Sequence, residues 1–130
     1  MSLRTLSMTL RGLFLLMLIL GIALWTGKAD GVKYVHMGLG IVFVAVLWAI
    51  GVIGTMRTGK IGLQVGTFVL GLLLAIVGMS QEHILTHSGH WIIQVVHLLL
   101  ALLSIGFAEM IVGQAKRVAP TTTPATPKGA

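Results

Sequence analysis

The sequence predicts an all-α protein, a transmembrane four-helix bundle of up-down-up-down topology. Three observations carry that expectation. Of the 130 residues, 56% are hydrophobic and only 9% are charged, against about 25% charged in an ordinary soluble domain. Mean hydropathy is +1.01. The apolar residues gather into four runs, each near the ~20 residues a helix needs to cross the hydrocarbon layer. No run alternates polar and apolar residues at period two, which argues against a membrane β-barrel.

The runs cover residues 8–26, 34–56, 61–81 and 91–113. The first follows "MSLRTLSMTLR" and resembles a signal peptide, with a weak small-residue site at Gly27-Lys28-Ala29. Its apolar stretch is at the long end for a signal sequence, and its removal would leave the third span unpaired. It is therefore expected to stay as a span. The 17 glycines suit membrane helices, where small residues let backbones approach. Residues 1–115 are expected to form the membrane domain and 116–130 a disordered cytoplasmic tail. The segment "APTTTPATPKGA" is rich in Pro and Thr and has few groups to bury.

Charge gives the direction. Arg4, Arg11, Arg57, Lys60, Lys116, Arg117 and Lys128 fall on one side of the predicted bundle, against Lys28 and Lys33 on the other. Lys and Arg favour the cytoplasmic side, so both termini are expected inside, in a bacterial plasma membrane. Tyr34 and Trp91 then lie at the outer interface, where amphipathic rings prefer to sit. The net charge of +6 does not point to nucleic acid, because the basic residues sit at the ends of apolar runs and build no basic face.

There are no cysteines. Disulfides, iron–sulfur clusters and thiolate-held metals are excluded. Any bound metal or haem iron needs His, Met or oxygen ligands.

A weak repeat runs through the chain. "YVH" near the start of the second span and "VVH" near the start of the fourth lie 61 positions apart. "LRGLFLLMLILG" and "LQVGTFVLGLLL" open the first and third, their first glycines 54 apart. This pattern suggests two copies of a helical hairpin, with His36 and His97 as counterparts.

Those two histidines are the leading candidate site. In an up-down-up-down bundle the second and fourth helices are diagonal and run the same way. His36 and His97 then face each other near the outer leaflet. Helical steps from His97 reach Ala101, Ser104 and Ala108, and from His36 they reach Gly40, Phe43 and Leu47. Gly40, Ala101 and Ser104 leave room for a flat cofactor or for close helix contact. Imidazole is a standard ligand of haem iron, and its neutral form is the least costly titratable ligand to bury. The reading from these residues is one b-type haem with His36 and His97 as axial ligands. Its propionates would leave toward Lys28, Lys33 and the third loop. His36 is two residues past Tyr34 and His97 six past Trp91, a depth difference of about 6 Å of helix rise that helix tilt must absorb. The plain alternative is that both histidines hydrogen-bond across helices.

This arrangement resembles the membrane-embedded b-type cytochromes over residues 8–113, through His36, His97 and the glycines after His36. The resemblance implies electron transfer to or from a quinone or a redox protein. Familiar members often carry two haems and four helical histidines, so this chain matches one such haem at most.

Other polar residues support rival readings. Glu82, His83, His87 and His90 crowd the third loop, with His83 and His87 at i and i+4, a spacing that suits a metal site and equally a solvated loop. Glu109 shares its end of the bundle with Arg57 and Lys60, which predicts an interfacial ion pair. Gln64 nearby leaves room to imagine a quinone-headgroup pocket. The methionines share no face and read as packing. Nothing matches a phosphate loop or a nucleophile–base constellation, so an electron carrier is expected rather than an enzyme. The rivals are a cofactor-free accessory subunit of a larger membrane complex or a homo-oligomer, and an outer-face His metal-binding protein.

Overall fold

The computed structural model describes residues 2–27, 30–81, 83–84 and 88–118, which form four long helices. They are α1 (Leu3–Trp25), α2 (Lys33–Thr58), α3 (Ile61–Ser80) and α4 (His90–Val118), with one 3-10 turn at Asp30–Val32 before α2. Each helix is long and apolar enough to cross a membrane. The expected disordered tail lies outside the described residues from 119 onward, as do Lys28, Glu82 and His87.

The apolar runs mark the helices, but α1 begins five residues before its run and α4 ends five after. The extensions mix polar residues with apolar ones, and Leu3 and Leu6 of α1 join the core. At the start of α1, the Ser2 hydroxyl accepts the Thr5 N–H at 3.1 Å, satisfying one of the donors a helix start leaves open. At the end of α4, Lys116 and Arg117 occupy the last turn, where cations complement the carbonyl end of the helix dipole. Between α2 and α3 the chain reverses through Gly59 and Lys60. Gly59 takes φ 71°, a left-handed conformation that costs a residue without Cβ little.

The short links make neighbours antiparallel. α2 packs on α1, α3 and α4, and α4 also packs on α1 and α3, while among the described residues α1 and α3 do not touch. The cross-section is thus a rhombus whose short diagonal joins α2 to α4. Small residues allow the close crossings. Gly51 on α2 faces Thr67 on α3, Gly54 on α2 faces Ile111 on α4, and Gly66 on α3 faces the ring of Phe107 on α4. Trp48 on α2 lies over Gly71 on α3 and stacks on Phe68, the ring centres 4.7 Å apart.

The tightest packing lies toward the end that carries the chain's N-terminus. Leu10, Leu47, Ile50 and Ile111 are fully buried there. Outward faces carry Ile19, Ile41, Val65, Leu72, Leu99 and Leu103, an apolar surface suited to lipid.

Candidate functional site

The site forms at the opposite end, where α2 and α4 begin. His36 lies three residues into α2 and His97 seven into α4. The depth difference predicted from the sequence is taken up because α4 starts about one turn further out. The two imidazoles meet across the short diagonal, ring centres 6.4 Å apart and ring planes at 49°. Both rings are partly buried. The Nδ1 of each is buried and has no hydrogen-bond partner among the described residues.

Each ring is seated on a glycine of the helix that precedes its own. A Cβ on Gly21 of α1 would stand 3.5 Å from His36 Cε1. A Cβ on Gly78 of α3 would stand 2.8 Å from His97 Cε1 and 3.4 Å from its Nδ1, closer than side chains normally approach. The His97 ring therefore fills the space a side chain at 78 would need. Each hairpin supplies one histidine and one glycine to the same end.

The small residues below the histidines are placed differently from one another. Gly40 turns toward α1, where a Cβ would stand 3.3 Å from the terminal methyl of Met17. Ala101 is partly buried against the core. Ser104 is fully buried and its hydroxyl donates to the Leu100 carbonyl at 2.8 Å, which satisfies it within its own helix. The glycines that touch the imidazoles, Gly21 and Gly78, do not stand out in the sequence. Their only signal there is a position near the histidine end of α1 and of α3.

Of the third-loop cluster, His83 is exposed and His90 opens α4 half-buried, while Glu82 and His87 lie outside the described residues. Among the described residues no three His, Asp or Glu side chains gather to hold a metal ion.

A second polar centre lies at the other end, and it corrects the expected partners of Glu109. The carboxylate faces neither Arg57 nor Lys60. Arg11 grips it from α1, with Nε donating to Oε1 at 2.8 Å and Nη2 2.7 Å from Oε2. The Ser7 hydroxyl donates to Oε1 at 2.6 Å. The rotation of α4 turns Glu109 toward α1, and Lys60 instead donates to Gln114 Oε1 at 3.0 Å.

No protein family, curated protein or solved structure matches the chain.

Proposed function

We propose that this chain is a small integral-membrane electron carrier that holds one haem b between α2 and α4, with His36 and His97 as axial ligands. The observation that carries the reading is the meeting of the two imidazoles. Metal–imidazole bonds are about 2 Å long, so two imidazoles on opposite sides of one ion have ring centres about 6 Å apart. The observed 6.4 Å fits that requirement. The partnerless Nδ1 atoms also fit a ligand at the rings, since a buried imidazole nitrogen without a partner is costly as mere packing.

A bound haem would supply reversible one-electron exchange at its iron. The chain's own residues do the rest. His36 and His97 would hold the iron from two helices that the fold presses together. Gly21 and Gly78 leave room at the neighbouring helices for the Cε1 edge of each ring. Phe43 and Leu47 close the core beneath the site and keep water from it. The positive-inside distribution supports a reading with the termini in the cytoplasm, in a bacterial plasma membrane, and the histidine end outside. A quinone or a redox protein is the class of partner that such a carrier would serve.

A second reading rests on the same glycine seats. Rings packed on Gly21 and Gly78 would lock the two hairpins together without a cofactor, as expected of an accessory subunit. Haem content separates the two. The full chain, expressed with ample haem and purified in detergent, is expected to yield one haem b per chain in a pyridine haemochromogen assay. Folded, colourless protein would leave the accessory-subunit reading.

A further inference from the structure

The cation-rich end of the bundle carries a cleft that the haem reading does not use. It lies between α1 and α4 and has a volume of about 210 Å³. Arg4, Ser7 and Arg11 line it from one face of α1, and Glu109 and Lys116 from one face of α4. The spacing of these residues explains the arrangement. On α1 they stand at i, i+3 and i+7, and on α4 at i and i+7, so each set shares a helix face.

The two helices run antiparallel, which sorts the charges by depth. Arg11 and Glu109 pair at the inner level, and that carboxylate is occupied by Arg11 and the Ser7 hydroxyl. Arg4 and Lys116 stand at the rim, about 10 Å further along the helix axes for seven residues of rise. Neither has a hydrogen-bond or salt-bridge partner among the described residues. The cleft thus holds three cations against one carboxylate, and the two cations outside the ion pair converge at its mouth.

We propose that this cleft binds the phosphate of an anionic membrane lipid. The charge calls for a phosphate group, and the walls decide between a lipid headgroup and free phosphate. Met8, 61% exposed, and Val112 also line the cleft. Met8 continues it onto the apolar flank of α1, where an acyl chain would lie, while the buried Val112 backs it from the core. Basic pockets between membrane helices suit such headgroups, each nearby Lys or Arg contributing about 1 kcal/mol.

Native mass spectrometry of the full chain in detergent micelles tests this, with phosphatidylglycerol, phosphatidylcholine or inorganic phosphate as the probe. Phosphatidylglycerol is expected to be retained in preference to phosphatidylcholine. Arg4→Gln and Lys116→Gln are each expected to weaken retention about fivefold. Arg4→Lys should retain it, and so should Arg57→Gln, which removes a cation from the same end but outside the cleft. Far-UV circular dichroism of each variant establishes that the helices persist. Equal binding of the two lipids would overturn the proposal, as would equal losses from Arg57→Gln and Arg4→Gln, the mark of diffuse surface attraction. Binding of inorganic phosphate with no preference for the anionic lipid would reassign the cleft to a free anion.

Discussion

The imidazole of His97 occupies the place where Gly78 lacks a side chain: a Cβ there would come within 2.8 Å of Cε1. On the other hairpin His36 stands off further, with 3.5 Å to a Cβ on Gly21. The two seats look alike but differ in tolerance.

Gly78→Ala is therefore expected to displace the His97 ring and to destabilise the bundle by about 1–3 kcal/mol, the usual range for overpacking. Gly21→Ala makes an ordinary contact and should be neutral, or stabilising by up to about 1 kcal/mol through helix propensity. Reversible unfolding in mixed micelles of detergent and sodium dodecyl sulfate measures both. Equal responses would contradict the glycine-seat geometry.

A similar contrast holds in the core. A methyl on Gly51 would collide with Thr67, and one on Gly54 with Ile111. Either alanine variant should cost about 1–3 kcal/mol by forcing helices apart. A methyl on Gly12 or Gly38 would meet nothing within 4 Å, and alanine there should leave stability unchanged or slightly raised. The same unfolding assay ranks the four.

Much of this architecture was legible in the sequence. Hydropathy marks four spans because hydrocarbon admits so few charges. Short links force antiparallel neighbours, and that alone brings His36 and His97 to one end on one diagonal. Helix ends were less legible, because mixed turns such as residues 3–7 continue a helix without reading as part of its apolar run. Contacts between helices were the least legible. Stepping along α4 from His97 finds Ala101 and Ser104, whereas the group against the ring is Gly78 on α3. With 17 glycines in the chain, residue type alone does not select it. Glu109 shows the same limit, since only the rotation of α4 decides that Arg11 receives it in place of Arg57 or Lys60.

The Ser7–Glu109–Arg11 group should behave as one unit. Ser7 is buried and bonds the carboxylate at 2.6 Å, so Ser7→Ala is expected to cost about 1 kcal/mol. In a Glu109→Ala background the same change should cost much less, because its partner is gone. A double-mutant cycle reads the difference, and strict additivity would show that the hydrogen bond contributes nothing.

Joint ligation by His36 and His97 is tested most directly by a reduced-minus-oxidised visible spectrum of the detergent-purified full chain. A sharp low-spin b-type signal is expected, lost in His36→Ala and lost equally in His97→Ala, with the helical circular dichroism of both variants retained. Well-folded wild-type protein with no haem signal, or a signal that survives either substitution, would contradict it.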